Sequence, residues 1–300
     1  MGSWLRLAVH GPRVPRGAAG RGWTAVSAEF DAVDRAMSRF QADSEISRLN
    51  ARAGSADPLV VDRRLYAGLA AAHRAWRMTE GRFEPRILIT MDELGYRGAP
   101  VEFRPSADRW ASEWLWRCPR SRQVRIAEPL DLGGIGKGLA LRWAWRALWP
   151  ELPHAGQVGV LLDAGGDLVV GGPAPDGDAW RIGVEDPSGG DRPIAVVAVG
   201  CGAVCTSSTM VNRWVDERGE AIHHLIDPAT HRPAASGLLS VTVAGRDAAW
   251  AEVWSKALFI AGVDGIAELA RRHGLAAWWV REPVTLEMTP AARLLTVWTA

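Results

Sequence analysis

The chain predicts an α+β fold, with helices weighted toward its first half and antiparallel-looking strands toward its second. Three observations carry that expectation. Apolar residues recur at helical spacing up to about residue 81, short β-branched runs bounded by Gly, Pro or Asp dominate from about residue 158, and no repeat, low-complexity tract or linker intervenes. Three hundred residues suffice for a sizeable core, so one module spanning 1–300 is the expected organisation, with a mostly antiparallel or mixed sheet and flanking helices.

Met1 to His10 alternates loosely and is read as a first strand, followed by a Gly/Pro/Arg loop to about Gly22. Val26, Phe30, Val33, Met37 and Phe40 then share one face of an amphipathic helix, with Asp31, Asp34 and Arg35 on its wet side. Gln41 to Glu45 breaks the pattern. A second helix lies between Asp62, a good N-cap, and Gly81, a good stop, and buries Leu65, Leu69, Ala72 and Trp76. Phe83-Glu84-Pro85 leaves it as an extended turn. Residues 98–128 are polar and tryptophan-dotted, and are assigned as loop with one short strand at about Gln123 to Ile126. Trp110 and Trp114, at helical spacing, are packing residues rather than a cofactor box. A helix from Leu139 to Trp149 is ended by Pro150 and Pro153. Strands are expected at Val158 to Asp163, Leu168 to Val170, Trp180 to Val184, Ile194 to Val199, Ala221 to Ile226 and Leu238 to Ala244. Helices at about Ala249 to Ala261 and Asp264 to His273 precede strands at Ala276 to Val280 and Leu294 to Thr299.

Bulk composition narrows the function classes. A net charge of +1 gives no reason to propose nucleic acid or a charged membrane as partner. Three cysteines, Cys118, Cys201 and Cys205, are too few for a disulfide framework and suggest a reducing compartment. Met1 to Arg21 lacks the apolar stretch of a signal peptide, and no run is long enough to span a bilayer, so a cytoplasmic protein is expected. Of 35 basic residues only Lys137 and Lys256 are lysine. Where any cation serves, this chain uses arginine; the two exceptions mark places where a compact point charge is needed. Asparagine is equally scarce, at Asn50 and Asn212.

The densest chemical signal is Asp131-Leu132-Gly133-Gly134-Ile135-Gly136-Lys137-Gly138, directly ahead of the helical run. Glycine lets backbone approach a ligand and tolerates positive φ, and a helix N-terminus adds partial positive charge, so an anion such as phosphate is the expected guest. A tight turn before a helix is the competing reading. The stretch is not a P-loop, because Gly138 follows Lys137 where a hydroxyl is required and Asp131 replaces the first glycine; the dinucleotide fingerprint fails on its last spacing. Asp163-Ala164-Gly165-Gly166-Asp167 is a second strand-to-glycine turn, able to bring backbone to a ligand or simply to close a hairpin. His224 stands at a strand end three residues ahead of Asp227, as a satisfied histidine or an acid/base group. The neighbouring Cys201-x3-Cys205 spacing does not fit zinc. Glu252 and Lys256 are four apart on a helix that is apolar nearly all round, so an acid and an ammonium there need each other or a ligand.

Taken in order, these pieces resemble the ApbE family, the FAD:protein FMN transferases, from Met1 to about Gly262. Met1-Gly2-Ser3 is similar to the family's Met-Gly-Thr, and Met37-Ser38-Arg39-Phe40 with Ser44 to Asn50 to its Ser-x-Phe…Ser-Glu-Ile…Leu-Asn segment. Gly81 to Pro85 resembles Gly-Ala-Phe-Asp-Pro, and Asp131 to Gly138 resembles Asp-Leu-Gly-Gly-Ile-Ala-Lys-Gly. Asp163 to Asp167 is similar to Asn-x-Gly-Gly-Asp, Trp180 to Pro187 to Trp-Arg-Ile-Gly-Ile-x-Asp-Pro, Cys205 to Ser208 to Ala-Thr-Ser-Gly, and His224 to Thr230 to His-x-Ile-Asp-Pro-x-Thr.

The resemblance implies an enzyme that binds FAD, cleaves its pyrophosphate with magnesium, and joins FMN by a phosphoester to a threonine of an acceptor flavoprotein, releasing AMP. It implies an FAD site lined by Met1, Phe40, Arg82, Phe83, Glu84, Asp131, Lys137 and Ile226. The implied metal set falls on Gly134, through its carbonyl, and on Glu252, Ser255 and Lys256. Lys137 would polarise the phosphates, with His224 and Asp227 as the acid/base pair. The chain departs from the family where Ala251-Glu252-Val253-Trp254-Ser255-Lys256-Ala257-Leu258 replaces Ala-Asp-Ala-x-Ala-Thr-Ala-Leu. Glutamate still offers oxygen, but a protonated amine has no lone pair for a hard cation. The expectation is that the Lys256 ammonium takes part of the metal's role. Glu84 for aspartate, and Ser208 and His231 for glycine, are milder departures. An FAD pyrophosphatase and a flavin-binding protein without catalysis are the alternatives.

Overall fold

A computed structural model describes residues 4–11, 14–15, 17–96, 98–101, 103, 113–152, 157–177, 179–216 and 219–300. Met1, Trp110 and Pro153 lie outside them.

The first half carries the helices. After strand β1 (Leu5–His10), helix α1 (Ala18–Met37) turns Ala18, Gly22, Val26, Phe30, Val33 and Met37 inward as one stripe. It begins a turn earlier than its apolar pattern indicates. Gly22, expected in a loop, is the reason: a Cβ there would sit 2.5 Å from Leu148 Cδ1, so the glycine permits close packing of helix on helix. The helix also stops before Phe40, at an extended Ser38. In α2 (Glu45–Asn50), unassigned from sequence, the Ser44 hydroxyl caps Ser47 N–H at 3.1 Å. Strand β2 (Leu59–Val60) precedes α3 (Arg63–Met78), which is capped by Asp62 as expected and left through Gly81 at φ 81°. Then come α4 (Leu88–Glu93), β3 (Leu115–Cys118) and β4 (Gln123–Ile126), the last with the expected limits. Helix α4 lies in a stretch unassigned from sequence, and β3 is a correction to the loop expected over residues 98–128. Trp114, at the start of that hairpin, is fully buried.

Helix α5 (Gly133–Leu148) starts inside the glycine stretch rather than after it. Its glycines are therefore helical, and none of Gly133, Gly134, Gly136 or Gly138 has a positive φ, so tolerance of left-handed backbone is not why they are there. Close approach is. A Cβ on Gly138 would meet Ala249 Cα at 2.5 Å and the Ala248 carbonyl at 2.6 Å, where α5 crosses the next long helix.

The second half supplies β5 (Gly159–Ala164), β6 (Asp167–Gly171), β7 (Trp180–Val184), β8 (Ala195–Val199) and β9 (Gly202–Ser208). Short strands β10 (Arg213–Val215), β11 (Ala221–His223), β12 (Ile226–Asp227) and β13 (Arg232–Pro233) follow, then β14 (Leu238–Gly245). The single strand expected over Ala221 to Ile226 is thus two, interrupted at His224-Leu225. Helix α6 (Ala248–Arg272) is broken at Gly262, whose φ of 68° and ψ of 178° divide it where two helices were expected. The chain closes with β15 (Ala276–Arg281), β16 (Thr285–Met288), α7 (Pro290–Arg293) and β17 (Thr296–Thr299).

Seven strands form one antiparallel sheet in the order β1-β5-β6-β9-β14-β15-β16. Alternate residues serve its two faces. Ala203 and Cys205, Val241 and Val243, and Ala277 and Trp279 pack with Ile135, Leu139, Leu258 and Phe259 from α5 and α6. Val204, Ala244 and Trp278 pack instead on the small sheet β17-β8-β7. The N-terminal end of α5, the C-terminal end of β9 and the middle of α6 meet on the helical side, and that junction positions the site.

Candidate functional site

The N-terminal turn of α5 is fixed from beneath. Asn50, buried to 1% exposure, donates from Nδ2 to the Leu130 carbonyl and accepts the Leu130 N–H at Oδ1, both at 2.9 Å. Asp131 follows. Its Oδ1 accepts Gly133 N–H at 2.6 Å, and Arg39 Nε lies 2.8 Å from its Oδ2, an ion pair set off the N–H direction. Arg39 is itself buried, paired with Asp92 at 2.8 Å and donating to the Tyr96 carbonyl.

Above this turn opens a cavity of about 1100 Å³, counting the space at its mouth. One wall is aromatic. Phe40, 54% exposed, meets Tyr96 edge-to-face with ring centres 5.6 Å apart, and Tyr96 stacks on Trp214 at 4.9 Å. The Arg39 guanidinium lies over both Phe40 and Tyr96. Such a surface suits a flat ring. Another wall comes from the loop after α3: Arg82, a buried Phe83, and Glu84, which arrives already bidentate with Arg86 at 2.8 and 2.6 Å. Gly134 belongs beside Phe83, since a Cβ there would lie 2.9 Å from Phe83 Cε2.

Both lysines of the chain line this cavity. Lys137 Nζ is 2.6 Å from Oδ2 of the buried Asp167, whose other oxygen accepts Thr206 N–H at 3.2 Å. Burial alone would lower the Lys137 pKa; the Asp167 and Glu252 carboxylates together outweigh it and hold the ammonium above its ordinary value. Glu252, on α6, is 1% exposed; Oε2 accepts Gly138 N–H at 2.7 Å and Oε1 lies 3.3 Å from Lys256 Nζ. Each of the two lysines is held by a buried carboxylate.

His224 reaches the cavity from the break between β11 and β12. Its Nδ1 is 3.0 Å from the Val211 carbonyl, which can only accept, so Nδ1 carries the proton and Nε2 the lone pair. Burial foremost, with the positive charge of Lys256, pushes its pKa down to about 3, so it is neutral at physiological pH and cannot serve as an acid there. Asp227 does not join it: its carboxylate accepts Ala229 N–H at 2.9 Å within a turn and does not line the cavity. The second glycine turn closes a hairpin at the edge of the cavity. Gly165 and Gly166, at φ 62° and 93°, close the β5–β6 hairpin, and Gly165 reaches the cavity.

The structure therefore brings together Phe40, Arg82, Phe83, Glu84, Asp131, Gly134, Lys137, His224, Ile226, Glu252 and Lys256. Met1 lies outside the described residues. Ser255 is fully buried, its hydroxyl 2.7 Å from Ser207 Oγ and donating to the Glu252 carbonyl at 2.9 Å, so it does not face the cavity. Sequence reasoning missed Arg39, Asp167, Tyr96 and Asn212 as site residues. The scarcity of asparagine was a signal for Asn212, which takes a left-handed φ of 50° on the rim; Asp167 ended a glycine turn already singled out.

A divalent cation does not fit these residues. Glu252 has both oxygens engaged, Ser255 faces away, Lys256 offers no lone pair, and no group of three His, Cys, Asp or Glu capable of holding a metal exists among the described residues. No helix among them is long and apolar enough to cross a membrane.

The ApbE family's sequence pattern matches residues 1–279. The chain is 26% identical over 295 residues to the FAD:protein FMN transferase of Escherichia coli K12, covering 93% of this chain and 82% of that protein. It is 30% identical over 263 residues to the FAD:protein FMN transferase of Treponema pallidum, covering 78% and 70%. Among solved structures it is similar to the ApbE protein of Thermotoga maritima, with a TM-score of 0.84 at 25% identity over 98% of this chain and 96% of that one. The flavin transferase ApbE of Vibrio cholerae, at 19% identity and a TM-score of 0.77 over 98% and 99%, shares the fold. A pattern that runs through nearly the whole chain, and a fold that agrees with it from end to end, place this protein in the ApbE family.

Proposed function

We propose that this chain splits FAD and joins its FMN half through a phosphoester to a threonine of an acceptor flavoprotein, releasing AMP. The observation that carries the reading is the meeting of the chain's two lysines in one cavity, beside the N-terminal turn of α5 and an aromatic wall. The aromatic wall suits the isoalloxazine or adenine ring; the ammoniums suit the diphosphate between them.

In the transfer, the threonine oxygen bonds to the phosphorus of the FMN half, and the bond from that phosphorus to the bridging oxygen breaks. AMP leaves with the bridging oxygen. The hydroxyl proton is lost to solvent as the new bond forms, and the neutral His224 orients the hydroxyl by accepting its hydrogen bond at Nε2. Lys137, held by Asp167, offsets charge on the leaving phosphate without changing its own protonation. The only chemistry asked of the protein is positioning and charge.

The test is incubation of the purified protein with FAD and a threonine-bearing acceptor. The expected result is an acceptor heavier by FMN less one water, with one AMP for each acceptor modified. AMP and free FMN beside an unmodified acceptor would make it a pyrophosphatase, and bound FAD without AMP a binding protein.

A further inference from the structure

We propose that the Lys256 ammonium stands permanently where a divalent cation would have to sit, so that the chain holds and activates the FAD diphosphate without a metal ion. The inference rests on the FAD reading above and deepens it.

The position of Lys256 is fixed at both ends. Its stem runs across the helix start, with Cδ and Cε 3.3 and 3.5 Å from where a Cβ of Gly134 would stand. Its nitrogen is 3.3 Å from Glu252 Oε1 and lines the cavity. An ordinary surface pair four residues apart on a helix adds little and is easily given up. This pair differs, because Glu252 is 1% exposed and Lys256 17%. Were the ammonium to swing out, it would strand a buried carboxylate.

A cation entering would need oxygen ligands, and the two side chains implied for it, Glu252 and Ser255, have theirs engaged. Glu252 Oε2 holds Gly138 N–H, the start of α5, at 2.7 Å. Ser255 Oγ is taken up between Ser207 and the Glu252 carbonyl. The incoming ion would also bring its charge up to an ammonium already in place, which is repulsive. The composition agrees: a guanidinium fork is bulky and directional, and in a chain that uses arginine almost everywhere, this position is lysine. A compact ammonium can sit beside Gly134 and present its remaining protons to phosphate oxygens. It supplies one positive charge where a divalent ion supplies two, and it cannot be removed by a chelator.

The transfer step stays balanced without a metal. The P–O bond to threonine forms as the P–O bond to AMP breaks, the threonine proton goes to solvent, and both ammoniums keep all their protons.

The experiment has two arms on the full chain. In the first, Mn²⁺ is titrated into the FAD-bound protein and followed by electron paramagnetic resonance. Wild type is expected to take up no stoichiometric Mn²⁺, and the double variant Glu252→Asp, Lys256→Thr to gain one site. In the second, AMP release from FAD in the presence of the threonine-bearing acceptor is measured in EDTA and in Mg²⁺. The wild-type rates are expected to agree within about twofold, a difference well below the ~1.4 kcal/mol that a tenfold change represents. Stoichiometric Mn²⁺ on wild type, or a tenfold or greater fall in EDTA, overturns the proposal. Both wild-type measurements stand even if the double variant fails to fold. If FAD binds but no AMP forms in either condition, the transferase reading fails, while the Mn²⁺ titration still decides the question of the cation.

Discussion

His224 shows how much a single side chain's role depends on what lies behind it. The sequence offered it with Asp227 as an acid/base pair; the structure gives its Nδ1 to a backbone carbonyl, half-buries the residue and sets Lys256 nearby, leaving a neutral imidazole at the cavity with its lone pair on Nε2. Its folded pKa of about 3 lies below the ordinary 6.5, so between those values the unfolded chain binds more protons than the folded one. The sign follows: stability from this group is complete above about 6.5 and is lost as pH falls toward 3. His224→Gln is expected to flatten the acid side of a plot of unfolding free energy against pH in that window while leaving the value at pH 8 within about 1 kcal/mol of wild type. Urea titrations at several pH values measure it, and equal slopes for the two proteins would refute the assignment. The two asparagines were also legible as exceptions, though not as to purpose. Asn50 clamps the backbone of Leu130 and so holds Asp131 and the start of α5, whereas Asn212 supplies a left-handed turn at the rim.

At α5 the glycines separate into different jobs that one motif could not reveal. Gly138 lets α5 and α6 approach, and Gly134 makes room for Phe83 and the Lys256 stem, while a Cβ on Gly136 would meet nothing within 4 Å. Gly138→Ala is therefore expected to cost about 1–3 kcal/mol as the two backbones part. Gly136→Ala is expected to be neutral or to stabilise by up to about 1 kcal/mol, the difference in helix propensity. Thermal unfolding of the two variants decides it: equal loss from both would mean that the helix, not the crossing, sets the requirement. The same physics explains which elements the sequence disclosed. Helix α3 and strands β4 and β7 carry strong local signals, a capping aspartate or alternation between turn residues, and their limits were legible. Strand β9 carries none, being Gly-Ala-Val-Cys-Thr-Ser-Ser, yet it is the central strand of the large sheet and lines the cavity with its last three residues. Its small and polar side chains fit because two layers press on it, and that is tertiary information. Gly22 misled in the opposite direction, looking like a loop when it marks a close contact.

Across the molecule, the sheet with α5 and α6 on one face and a three-stranded sheet on the other brings distant segments to one cavity, among them the start of α5, the end of β9, the middle of α6 and the loop after α3. Family membership was legible from the order of short motifs, because order survives where single residues change. What it left open was the consequence of lysine at position 256, which only the side-chain geometry around Glu252 addresses. A crystal structure with bound FAD tests the central claim most directly. The account predicts the diphosphate between the two lysines, with phosphate oxygens within hydrogen-bonding reach, about 2.7–3.2 Å, of both Lys137 and Lys256 Nζ and no metal between them. FAD bound with its phosphates away from both nitrogens would contradict it.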